Sequence, residues 1–154
     1  MKSRSILLSL VMCFAGLTFC LAENPILGTW KLNEAKSKFS PGASKSLTVV
    51  YEAAGDNVKC TIDGVDGQGN ATHNEWVGKL DGKDYPVSGD SDGTTRAIKQ
   101  VNDRTFEVSM KKGGTVTLSG RVVIAPDGKS RNVTLHGTDS SGKKTSSTAF
   151  YDKQ

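Results

Sequence analysis

The segment TFEVSMKKGGTVTLSGRVVI, residues 105–124, decides the fold class. Phe106, Val108 and Met110 fall on one face of an extended chain, and Glu107, Ser109 and Lys111 fall on the other. A two-residue period of this kind marks a strand with one buried face. Gly113-Gly114 supplies the backbone freedom a tight hairpin turn needs. Thr115 to Ile124 then resumes the pattern, with Val116, Leu118, Val122 and Ile124 on one face.

The same pattern extends in both directions. Lys45 to Ala53 aligns Leu47, Val49 and Tyr51, and Val58 to Asp63 aligns Val58, Cys60 and Ile62. Ala71 to Leu80 carries Trp76 and Val77, and Thr94 to Val101 is a further strand. Lys83 to Ser88 contains Pro86, which confines it to an edge or a distorted strand. Ser130 to Thr138 alternates Val133 and Leu135 with Asn132, Thr134 and His136, and Thr145 to Asp152 ends the series with Ala149, Phe150 and Tyr151. A first strand runs from Gly28 to Asn33, and Glu34 to Phe39 reads as a short helical turn or loop. Turn residues separate the runs at Pro41-Gly42, Gly55-Asp56-Asn57, Asp81-Gly82, Asp92-Gly93, Pro126-Asp127-Gly128 and Ser141-Gly142.

Roughly nine or ten strands at even spacing predict an antiparallel sandwich or barrel. No stretch holds a helical period long enough for a crossover, so a parallel sheet is excluded. Short connections favour hairpin neighbours, and a long meander removes its edges by closing. The expected fold is therefore all-β: an antiparallel up-and-down β-barrel of roughly eight to ten strands, with a Greek-key β-sandwich as the alternative.

Residues 1–22 read as a cleaved secretory signal peptide. Lys2 and Arg4 precede an apolar run from Ile6 to Leu21, and Cys20-Leu21-Ala22 offers a cleavage site. Residues 23–154 then form a single domain that is exported, either periplasmic or extracellular. Lys2 and Arg4 account for two of the four net positive charges, so the domain is only weakly basic. Its Lys and Arg residues are interspersed with Asp and Glu, which argues against a nucleic-acid partner. Of three cysteines, Cys13 and Cys20 leave with the signal, so Cys60 has no disulfide partner within the domain. Its place in phase with Val58 and Ile62 reads as a small buried hydrophobe.

The chemistry-bearing residues form no recognisable constellation. The Asp-Gly pairs, Asp63-Gly64 and Asp66-Gly67 among them, suit hairpin turns better than a calcium loop. His73 and His136, the only histidines, have no ligand spacing and read as surface residues. No nucleophile elbow is present. No metal, cofactor or catalytic residue is therefore predicted, and the chain reads as a non-enzyme. Asn70-Ala71-Thr72 and Asn132-Val133-Thr134 match the N-glycosylation pattern. The aromatic and arginine positions carry more. Arg121 follows Gly120 in an otherwise apolar strand and is expected to point inward. Trp76, Tyr85 and Arg121 are the expected ligand-lining residues.

Gly28-Thr29-Trp30-Lys31-Leu32-Asn33 resembles the opening motif of the lipocalins. Ser37-Lys38-Phe39-Ser40-Pro41-Gly42, Asp81-Gly82-Lys83-Asp84-Tyr85-Pro86-Val87 and Asp127-Gly128-Lys129 extend the likeness to small exported bacterial lipocalin-like proteins of the calycin type. The resemblance implies a closed barrel in which Gly28 and Trp30 serve barrel closure. It also implies an arginine from a late strand, Arg121 or Arg131, packed on that tryptophan. The related fatty-acid-binding proteins carry Arg-x-Tyr on their last strand, and Ala149-Phe150-Tyr151-Asp152 lacks it. The function implied is binding of a small, mostly hydrophobic ligand at the end opposite Trp30, with no membrane span once the signal is removed. A solid-core barrel serving as a protein-interaction or inhibitor module is one alternative. A barrel-cavity isomerase using His73, Glu75 or Glu107 is another.

Overall fold

A computed structural model describes residues 23–90, 92–139 and 141–154; the signal-peptide expectation for residues 1–22 lies outside them. Among the described residues the strands are β1 (Gly28–Leu32), β2 (Lys38–Phe39), β3 (Lys45–Ala54), β4 (Asn57–Val65), β5 (Ala71–Gly78) and β6 (Tyr85–Ser88). They continue as β7 (Thr94–Asn102), β8 (Thr105–Lys112), β9 (Thr115–Ile124), β10 (Ser130–Thr138) and β11 (Lys144–Lys153). A single 3-10 turn, Glu34–Lys36, separates β1 from β2.

From β3 to β11 each strand pairs antiparallel with the next in sequence, as an up-and-down meander requires. β1 closes the ring. It pairs with β3 on one side and with β11 on the other, where Trp30 faces Lys153 and Leu32 faces Tyr151. β2 pairs with Ser147 and Thr148, further along the same flank of β11. β1 and β2 are thus two halves of one position, and ten positions close the barrel. Closure leaves no long free edge, and the sandwich alternative is set aside.

One end is sealed by the chain's own start. Asn24 to Leu27 forms a turn in which the Leu27 N–H donates to the Asn24 carbonyl at 3.0 Å. Ile26 is fully buried beneath the barrel. The Trp30 indole N–H donates to the Ile26 carbonyl at 2.8 Å, fixing the turn to the floor. Gly28 takes a φ of 112°, which L side chains rarely adopt, where the turn enters β1. Above this floor, Val49, Tyr51, Cys60, Trp76, Ile98, Phe106, Val122, Ile124, Val133, Ala149 and Tyr151 fill the interior.

Two apolar residues, Val116 and Leu47, leave the faces the sequence pattern gives them, both at bulges. The β8–β9 register shifts beyond the Met110–Leu118 pair, so Val116 pairs with Lys111 and turns outward, 52% exposed, instead of joining Leu118, Val122 and Ile124. A second shift between Ser46 and Thr48 leaves Leu47 exposed at the other end of the barrel, away from Trp30.

Candidate functional site: the barrel interior and its open end

The interior holds two buried arginines at different depths. Arg131, on β10, is in phase with Val133 and lies at the sealed end, 3% exposed. Its guanidinium carbon sits 4.7 Å from the Trp30 ring centre, 4.7 Å from Tyr151 and 5.4 Å from Tyr51. Its Nε and one terminal nitrogen have no hydrogen-bond partner among the described residues. Three π faces compensate part of its charge. Of the two arginines considered for the tryptophan, Arg131 is the one that reaches it.

Arg96, on β7, is in phase with Ile98 and faces inward nearer the open end, 5% exposed. One terminal nitrogen donates to Asn74 Oδ1 at 2.9 Å and lies 4.0 Å from Met110 Sδ. The other lies 3.9 Å from Cys60 Sγ. The Trp76 indole N–H donates to the Arg96 carbonyl at 2.9 Å. Trp76 meets Tyr85 edge-on, with ring centres 6.0 Å apart. A side chain at position 78 would strike both rings, so Gly78 is what allows them to meet. The Tyr85 hydroxyl donates to Asp81 Oδ2 at 3.1 Å.

Between the two arginines lie Tyr51 and Cys60, opposite one another on β3 and β4. Burial pushes the Cys60 thiol up, and the nearby Arg96 guanidinium opposes this only in part. Burial likewise lifts the Tyr51 phenol far above its ordinary value. Both groups are neutral near pH 7. Around Arg96 and away from the Trp30 floor, the inner face carries Ile62, Val87, Met110, Leu118 and Leu135, all only half-buried, with Met110 directly opposite Arg96.

Trp76 and Tyr85 therefore lie beside each other in the wall that holds Arg96. Arg121 does not join them: it points outward and is 57% exposed, with Nη2 3.0 Å from Glu107 Oε1. It is out of phase with Leu118, Val122 and Ile124, which face the core. Gly120 does not mark an inward arginine. A Cβ there would collide with the Thr134 carbonyl, so the glycine lets β9 and β10 approach closely. The residues considered for catalysis are also outside the barrel. His73 Nδ1 lies 2.6 Å from Asp63, and Glu75 is paired with Lys59 at 2.8 Å, which holds its carboxyl below the usual range. Among the described residues no three His, Cys, Asp or Glu side chains converge to hold a metal ion.

A surface cleft of about 480 Å³ lies on the outer face of β7–β10. Ala97, Lys99, Ser109, Ser119, Arg121 and His136 are among the residues that line it.

Arg96 is the residue that sequence reasoning missed. The available signal was parity: Thr94, Arg96 and Ile98 share a face, and a strand that buries Ile98 buries Arg96 with it.

No protein-family model matches the chain, and no curated protein matches it. Solved structures do. The structure of EF1p2_mFAP2b bound to DFHBI superposes with a TM-score of 0.52 at 8% identity, covering 84% of this chain and 94% of that one. A de novo designed fluorescence-activating β-barrel gives 0.45 at 12% identity over 83% of this chain and 93% of that one. The class defined is a small closed antiparallel β-barrel of ten strand positions, and the first of these structures shares that fold.

Proposed function

We propose that the protein is a non-enzymatic, exported lipocalin-like binding protein. It takes a small, mostly apolar molecule into the end of the barrel opposite Trp30. The observation that carries this reading is the asymmetry of the interior. The floor is closed by the fully buried Ile26 and Trp30, whereas the far end leaves Ile62, Val87, Met110, Leu118 and Leu135 half-buried around a polar centre. Removing apolar ligand surface from water would drive entry, and a few polar groups would orient the ligand. Trp76 and Tyr85 stay in the proposed lining, and Arg96 takes the place given to Arg121. A barrel of this fold holds the small dye DFHBI, which supports the reading by analogy. The pattern of residues 1–22 supports export, periplasmic or fully secreted.

Titration with the neutral fluorophore N-phenyl-1-naphthylamine tests the binding reading. A saturable, one-to-one rise in emission is expected. The outer cleft favours a second reading, a protein-interaction module, and absence of any dye binding would shift weight to it. Intact mass of the protein recovered outside the cytoplasm tests export: the expected chain begins at Glu23.

A further inference from the structure

Resting on that reading, we infer that the ligand carries an anionic head group, and that the Arg96 guanidinium, steadied by Asn74, receives it at the inner limit of the open end. A guanidinium has five N–H donors. Among the described residues, Arg96 has one oxygen acceptor, Asn74 Oδ1, and two sulfur neighbours. Sulfur is a weak acceptor. No ion pair among the described residues includes Arg96 or Arg131; the five that form all lie on the outside. A cation held away from water without a counter-charge is costly. Two such cations make the interior electropositive, and low-dielectric walls focus that field.

The two arginines differ in what surrounds them. Arg131 is boxed by three rings at the sealed end. Arg96 has the half-buried Asn74 and Met110 as neighbours in place of rings. The planar fork of Arg96 suits a carboxylate, sulfate or phosphate, which accepts charge-assisted hydrogen bonds. The apolar part of such a ligand would lie along Val87, Met110, Leu118 and Leu135. The ligand class is thus a small amphipathic anion, inserted head first.

Two dyes that share one ring system separate this inference from the reading beneath it. 1-Anilinonaphthalene-8-sulfonate is N-phenyl-1-naphthylamine with a sulfonate added. The unmodified protein is expected to bind the sulfonate about tenfold more tightly, as a charge-assisted contact implies. Arg96→Met is expected to erase that preference, weakening the sulfonate about tenfold more than the neutral dye, and to melt no lower than the parent. Should that variant fail to fold, displacement of the neutral dye from the unmodified protein serves instead, with octyl sulfate expected to compete at about tenfold lower concentration than 1-octanol. Equal affinity for both dyes, or a preference that survives Arg96→Met, overturns the inference and leaves the binding reading intact. Failure of both dyes to bind overturns the two together.

Discussion

Trp30 does three jobs with one side chain. Its indole N–H ties the N-terminal turn to the floor, its ring fills the sealed end, and its face carries the Arg131 charge. Trp30→Ala would remove all three. A large-to-small change at a fully buried aromatic costs about 3–5 kcal/mol, and urea unfolding at pH 7 is expected to show a loss of that size. A loss below about 1 kcal/mol would mean the floor does not depend on it. Cys60 supports a second expectation. Its folded-state pKa is raised by burial, so the folded chain keeps a proton that the unfolded chain releases. The stabilisation is full below about pH 8.5, where unfolded thiols begin to ionise, and declines as pH rises past that value. The urea midpoint should fall between pH 7 and pH 10, and by less in Cys60→Ala; an equal fall in both would exclude the thiol as a contributor. Residues were readable in the sequence where parity was decisive. Val133 and Leu135 place Arg131 inward, and Ile98 does the same for Arg96. Arg121 was misread because its neighbour Gly120 was weighed above its phase.

At the scale of the element, the broken first position shows how a ladder survives a gap. Between β1 and β2 the 3-10 turn leaves one flank of β11 without a strand beside it. Ser37 fills the gap: its hydroxyl donates to the Asn33 carbonyl at 2.7 Å and accepts the Phe150 N–H at 2.9 Å. The Asn33 N–H in turn donates to the Phe150 carbonyl at 2.8 Å. Ser37→Ala would orphan a partly buried N–H, at a cost of about 1–3 kcal/mol. Ser37→Thr keeps the hydroxyl and should lose much less. Thermal melts of the two variants decide this, and equal melting points would show that water replaces the hydroxyl. The long hairpins were legible in the sequence because each strand carries its own two-residue period. β2 was not, because two residues hold no period. The outward turn of Val116 was hidden as well, since a bulge exists only relative to the partner strand.

For the whole molecule, closure was the part least legible in advance. A barrel and a sandwich bury one face of each strand alike, so the period in 105–124 fits both. What separates them is the pairing of β1 with β11, across most of the chain length. The closed wall is not uniform. β10 pairs with β11 from Ser130 to Thr138, and β3 pairs with β4 from Lys45 to Ala54. β6 is held by far less: Glu75 and Trp76 on one side, Thr95 and Arg96 on the other. The thinnest wall thus adjoins Trp76, Tyr85 and Arg96, the residues proposed to meet the ligand. Elements near binding sites are drawn from the low-stability end of a fold. Hydrogen exchange at neutral pH should therefore find the Val87 and Ser88 amides exchanging well before those of Val133 and Ala149. Saturating N-phenyl-1-naphthylamine should slow the β6 amides more than those of β10, because a molecule seated against Trp76 and Tyr85 braces that wall first. Uniform slowing around the ring would instead place the dye elsewhere and separate the weak wall from the site.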